Sequence, residues 1–264
     1  MTSKCKTLLI TGGSSGIGQA TARLFVDKGW QVFELSRSGK SENGIVHVDC
    51  DVTHQDQVRH AVASVLEQTN QIDVLISNAG FGISGSVEFT NSEDLHRQFD
   101  VNLFGSIYVV QAVLPVMRSQ NFGRIIFVSS VAAIFPIPFQ AFYSASKAAI
   151  TSLSFALANE VKGFNISVCA FLPGDVATGF TSARNKSEAG ANVYEHLKTA
   201  VAAMEKDEKN GLTSASMANK LYQIACKKCV RPYYVGGGKY RLLCFLNNVL
   251  PDSVVQFLLR KLYS

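Results

Sequence analysis

The chain has 264 residues, 47% of them hydrophobic and 17% charged, which is enough apolar material for one large core and excludes a disordered chain. The length predicts a single α/β domain spanning 1–264. The net charge of +5 comes from Lys and Arg scattered along the sequence, with no stripe that would track phosphates, so no nucleic-acid partner is expected.

In chain order, β-branched runs predict strands at Thr7–Ile10, Gln31–Leu35, Gly44–Val48, Ile72–Ser77, Arg124–Ser129, Ile166–Phe171 and Tyr233–Val235. Helical periodicity fills the gaps at Ile17–Lys28, His54–Thr69, Glu93–Arg118, Phe142–Lys162 and Ser214–Lys228. Strands alternating with helices predict a doubly wound, three-layer Rossmann architecture with about seven mostly parallel strands. Residues 174–211 are left as an irregular insertion, too long for a plain connection and so expected to serve the substrate. The apolar tail, 239–264, is split at Pro251-Asp252 into runs far shorter than the ~20 residues of a membrane span, so no transmembrane segment is expected. Covering the substrate mouth or joining a subunit contact are the favoured roles for it, with peripheral membrane contact the remaining one.

Between the first strand and the first helix stands Thr11-Gly12-Gly13-Ser14-Ser15-Gly16-Ile17-Gly18. Small residues there let a backbone approach a pyrophosphate, whose charge the free N–H groups of the helix end can hold. At the end of the second strand, Leu35-Ser36-Arg37 puts a neutral residue and an arginine where an acid would bind the 2′-hydroxyl of NAD. A guanidinium fork matches a 2′-phosphate, so NADP(H) is the expected cofactor. If the strand ends two residues earlier, Glu34 reads the ribose instead.

Tyr143 and Lys147 lie one helical turn apart on a common face. A ketone that receives hydride needs a proton, and a phenol can give it if a neighbouring cation, here Lys147, lowers its pKa. The spacing recurs at Tyr194 and Lys198, but only Tyr143 follows a serine, Ser130, thirteen residues back at a strand end. Strand alternation turns Ser130 and Ser129 to opposite faces.

Together these motifs resemble the short-chain dehydrogenase/reductase family over residues 7 to 180. The T-G-x-x-x-G-I-G turn, Asp51-Val52, Asn78-Ala79-Gly80 (with Ser77 where the family has Asn), Asn102, Ser130, Tyr-x-x-x-Lys and Pro173-Gly174 with Thr178 all fall in the family's order. The resemblance implies cofactor contacts from Gly12, Ser14, Ser15, Gly16, Ile17, Gly18, Arg37, Asp51, Val52, Asn78, Ala79, Gly80, Tyr143, Lys147, Pro173, Gly174, Val176 and Thr178. It implies catalysis by Tyr143 with Ser130 and Lys147, the lysine also binding the nicotinamide ribose, and with Asn102 positioning a relay water. The segment from Gly123 to Ala148 is similar to the 17β-hydroxysteroid dehydrogenase-like branch. That implies a lipophilic ketone or alcohol as partner: a sterol, bile acid, retinoid or acyl lipid. Ile134, Phe135, Ile137, Phe139 and Phe180 are the candidate apolar wall.

A homodimer or homotetramer is implied through the helices carrying Asn102 and Tyr143, where Val109, Val110, Val113, Leu114, Leu153, Phe155, Ala156 and Leu157 exceed one inward stripe. Six cysteines read as reduced thiols, and Cys226/Cys229 lacks a second ligand pair, so no metal is expected. With the short polar start Met1–Lys6, the expected location is cytoplasmic. The alternatives are a catalytically silent NADP(H)-binding sensor or scaffold, and a methyltransferase, which would have no use for Tyr143, Lys147 or Arg37.

Overall fold

A computed structural model of the chain describes residues 6–262. The strands of its central sheet are β1 (Thr7–Thr11), β2 (Gln31–Ser36), β3 (Ile45–Asp49), β4 (Val74–Ser77), β6 (Gly123–Val128), β7 (Ile166–Pro173) and β11 (Tyr233–Gly236). Four two-residue strands, β5 (Ile83–Ser84), β8 (Val176–Ala177), β9 (Asn185–Lys186) and β10 (Leu212–Thr213), lie outside it. The order is β3-β2-β1-β4-β6-β7-β11, with every neighbouring pair parallel, so the doubly wound expectation holds.

Both faces of this sheet are covered, which is why its strands read as continuous rather than alternating apolar runs. On one face Leu9, Phe33, Leu75, Ile125 and Phe127 meet α2 (Gln55–Gln68), α4 (Gly105–Gln120) and α5 (Ala141–Glu160). On the other, Leu8, Ile10, Val32, Ile76 and Phe171 meet α1 (Gly16–Asp27) and α8 (Ser214–Ala225), where Phe25 packs edge-on against Trp30 and Tyr222.

The helix expected over Glu93–Arg118 is in fact three pieces: α3 (Ser92–Phe99), a π turn Asp100–Phe104, and α4. By length and composition alone, Ser92–Gln120 could cross a membrane, but here Val109, Val113 and Met117 are fully buried against the sheet. The surplus of apolar residues assigned to a subunit contact is largely core: Val109, Val110, Val113 and Leu157 are buried, Leu114 and Leu153 pack against them, and Phe155 and Ala156 stay outside, as does Phe104 nearby.

Residues 174–211 are more ordered than expected. They hold α6 (Phe180–Ala183) and α7 (Leu197–Lys209); β8 pairs with β10, and β9 with β5. Leu197, Ala200 and Met204 form the inward stripe of α7. The tail forms α9 (Gly238–Asn247) and α10 (Asp252–Leu262), broken at Pro251 as expected. Tyr240 of α9 lies over Gly174 at the cleft, whereas most described side chains of α10 are exposed.

Candidate active site

The carboxyl ends of β1, β4, β6 and β7 open into one cleft of about 250 Å³. At its base, Thr11 Oγ1 accepts hydrogen bonds from the backbone N–H of Asn78 (3.0 Å) and Ala79 (2.9 Å), while Asn78 Nδ2 donates to the carbonyls of Thr11 and Gly12. The end of β4 thereby clamps the glycine turn. A Cβ on Gly18 would stand 2.1 Å from the Gly12 carbonyl, so α1 can start this close only with glycine there. No side chain caps α1 and no acid occupies its first turn, which leaves its leading N–H groups directed at whatever occupies the cleft. Gly12, Ser15, Gly16, Ile17, Asn78, Ala79 and Gly80 line this half, and the open N–H groups with the close-packed glycines fit the pyrophosphate of a dinucleotide.

Tyr143, Lys147, Ser130, Pro173, Gly174, Val176 and Thr178 line the other half. Lys147 is only 5% exposed; its Nζ donates to the Val128 carbonyl at 2.9 Å and lies 5.8 Å from the centre of the Tyr143 ring. Ser129 turns away to bond the Lys147 carbonyl (2.9 Å) and Thr151, which leaves Ser130 in the cleft lining with Tyr143. Burial pushes the phenol up to about 12, offset in part by Ser130, and burial pushes Lys147 down to about 8.

Asn102 does not reach the cleft. It is buried in the π turn, where Oδ1 accepts from the Phe81 N–H (3.0 Å) and Nδ2 donates to the Phe81 carbonyl (3.1 Å) and Ser146 Oγ (3.0 Å). It does approach Lys147 from behind: a Cβ on Gly80 would meet Asn102 Oδ1 at 3.1 Å and Lys147 Nζ at 3.3 Å.

Ser14, Gly18, Arg37, Asp51 and Val52 lie outside the cleft lining. Arg37 is exposed and 4.0 Å from Asp51. Burial would raise Asp51, but hydrogen bonds from Thr53, with Arg37 and His54 nearby, hold it below the ordinary carboxylate value. Val52 packs into the core. β2 runs on to Ser36, so Glu34 is inside the strand. It is 1% exposed, bonded to His47 and Ser36, and a Cβ on Gly13 would stand 2.6 Å from its own Cβ.

Of the five residues expected to form an apolar wall, only Ile137 and Phe180 line the cleft; Ile134 and Phe135 pack beneath it with Val131, and Phe139 stacks edge-on against Tyr194. Tyr194 donates to Glu88 (2.8 Å) and Lys198 pairs with Glu188 (2.9 Å), both away from the cleft. Unforeseen in the sequence is a charged floor: Glu208 lines the cleft, takes an ion pair from fully buried Arg184 and accepts from Thr181 Oγ1 at 2.6 Å. Asp175, also in the lining, accepts a hydrogen bond from Tyr240 of α9. These pairs span 24 and 65 residues of sequence, and no local pattern announces them.

The family model for short chain dehydrogenases matches residues 6–189. The chain belongs to that family. It is 37% identical over 263 residues to the 3-ketodihydrosphingosine reductase of Bacteroides thetaiotaomicron, covering 97% of each protein. A short-chain dehydrogenase from Streptomyces avermitilis superimposes with a TM-score of 0.84 at 28% identity, over 98% of this chain and 96% of that one. A Burkholderia phymatum enzyme solved in complex with NAD gives 0.82 at 22% identity over 96% and 95%, a likeness of fold alone. This chain is therefore an oxidoreductase of a family that uses nicotinamide cofactors and acts on small molecules.

Proposed function

We propose that the chain interconverts a lipophilic ketone and its secondary alcohol with NADP(H), Tyr143 serving as general acid and base. The observation that carries this reading is the convergence of Tyr143, Ser130 and Lys147 on the cleft that the glycine turn opens into. The nicotinamide ring, when bound, supplies or accepts the hydride. Tyr143, a phenol, is neutral at pH 7, and burial tightens its hold on the proton that a nascent alkoxide requires. Ser130, in the same cleft lining, offers a second hydroxyl where negative charge develops on the substrate oxygen. Lys147 carries the positive charge that favours phenolate once the proton has left, and Asn102 fixes the Phe81 segment behind it.

Arg37 supports NADP(H) over NAD(H): it is exposed beyond β2, whereas Glu34 is locked beneath Gly13. Of the lipophilic ketones that the 17β-hydroxysteroid dehydrogenase-like resemblance suggests, an acyl-lipid ketone is favoured, because the relative with 37% identity is named for 3-ketodihydrosphingosine. The reading extends to a single-domain cytoplasmic enzyme, supported by unpaired Cys226 and Cys229, and to an oligomer supported by exposed Phe104 and Phe155. The test is NADPH oxidation, followed by fluorescence, over 3-ketodihydrosphingosine, sterol, bile-acid and retinoid ketones. Turnover of the sphingoid ketone is expected; NADPH binding without turnover of any ketone would instead support the silent sensor.

A further inference from the structure

The cationic character of this chain is concentrated at one end. Residues 227–262 contain Lys227, Lys228, Arg231, Lys239, Arg241, Arg260 and Lys261 against a single acid, Asp252, although the whole chain nets only +5. All seven cations are exposed, and among the described residues none pairs with a carboxylate within 4.0 Å. Between edge strand β11 and α9 lies a cavity of about 610 Å³ whose lining includes Lys220, Lys227, Arg231 and Arg241 and no acidic residue. Phe245 in its lining is 62% exposed, and α9, the residues after it and α10 carry further bare apolar side chains: Leu242 (60% exposed), Val249 (61%), Phe257 (61%) and Leu258 (51%).

Large exposed aliphatic and aromatic groups flanked by unpaired cations suit an interface that is apolar inside and anionic at its rim. We propose that α9, α10 and the cationic cavity form a docking surface for an anionic lipid bilayer, with lipid phosphates at Lys227, Arg231 and Arg241 and the apolar side chains of α9 and α10 in the acyl boundary. Charge argues against a second copy as the occupant, since two such faces brought together would set positive against positive. The surface adjoins the chemistry: Tyr240 of α9 lies over Gly174 and donates to Asp175 in the cleft lining. Docking would hold the cleft mouth near bilayer-dissolved substrate, but the docking inference stands whichever ketone is reduced.

The experiment is co-flotation of the full chain with phosphatidylcholine vesicles, with and without about 30% phosphatidylglycerol, at low and high salt. Partitioning onto the anionic vesicles at low salt, at least tenfold above the neutral ones, is expected. At roughly fivefold per surface charge, Lys227→Gln/Arg231→Gln/Arg241→Gln should weaken it by about a hundredfold, and Arg231→Gln alone by about fivefold should the triple variant fail to fold. Phe245→Ser/Phe257→Ser should also weaken it. Equal partitioning onto neutral and anionic vesicles, or no partitioning, overturns the proposal. So does an oligomer that Phe245→Ser/Phe257→Ser dissociates while vesicles are ignored, since the face would then be a contact between copies.

Discussion

Replacing Lys147 by Met should stabilise the folded chain at pH 7 while destroying its activity. The ammonium is 5% exposed and has one hydrogen-bond acceptor, the Val128 carbonyl, and burial pushes its pKa from 10.5 down to about 8. At about 1.4 kcal/mol per pKa unit, the folded state disfavours the charged form by about 3 kcal/mol. Methionine removes that penalty and leaves the Val128 carbonyl without its donor, at a cost of about 1 kcal/mol. A net gain of about 2 kcal/mol corresponds to a Tm about 4–8 °C higher. The gain depends on pH in a defined direction. Because the folded value lies below the unfolded one, the folded chain releases this proton first, and wild-type stability from this group rises between pH 8 and 10.5. The variant's advantage is thus full below pH 8 and gone near the top of that window. Cys50, Cys169 and Tyr143, all raised by burial, lose stability in the same alkaline range, but both proteins share them and the difference isolates Lys147. Thermal unfolding of both proteins from pH 7 to 10 without nucleotide is the assay. A variant less stable than wild type at pH 7, or a gain indifferent to pH, refutes the reasoning.

Tyr143→Phe should lower kcat by ~10²–10⁴-fold with NADPH affinity retained, whereas Tyr194→Phe, whose phenol bonds Glu88 outside the cleft, should change neither; steady-state kinetics and fluorescence titration distinguish them. Arg37→Ala should weaken NADPH by roughly ten- to a hundredfold and leave NADH unchanged, and equal wild-type affinities for the two cofactors would remove the basis for NADP(H). Arg184→Ala leaves Glu208 without its cation beside the cleft and should cost about 3–5 kcal/mol in urea unfolding, most of it recovered in Arg184→Met/Glu208→Leu. A single-variant loss below about 1 kcal/mol would mean that the pair does not support this wall.

What the sequence discloses of this molecule follows the range of the forces involved. The inner sheet strands are legible because they are buried on both faces, which demands an unbroken apolar run such as Leu8–Ile10 that competes with no helical period. The glycine turn and the Tyr143–Lys147 pair are legible because their constraints act within a few residues: a Cβ forbidden beside the Gly12 carbonyl, and two side chains one helical turn apart. The π turn is not, since one extra residue in a turn leaves the apolar pattern from Ser92 to Gln120 nearly intact while rotating Asn102 into bonds with Phe81 and Ser146. Nor is the substrate side of the cleft. Its segment is organised by a two-residue pairing of Val176 and Ala177 with Leu212 and Thr213, and by Arg184 meeting Glu208, contacts that only the finished fold brings together. Cofactor-binding features are written locally because a pyrophosphate imposes local geometry. The wall that would select a ketone is assembled from distant pieces, so of the five apolar residues expected there only Ile137 and Phe180 line it, and Glu208 stands among them.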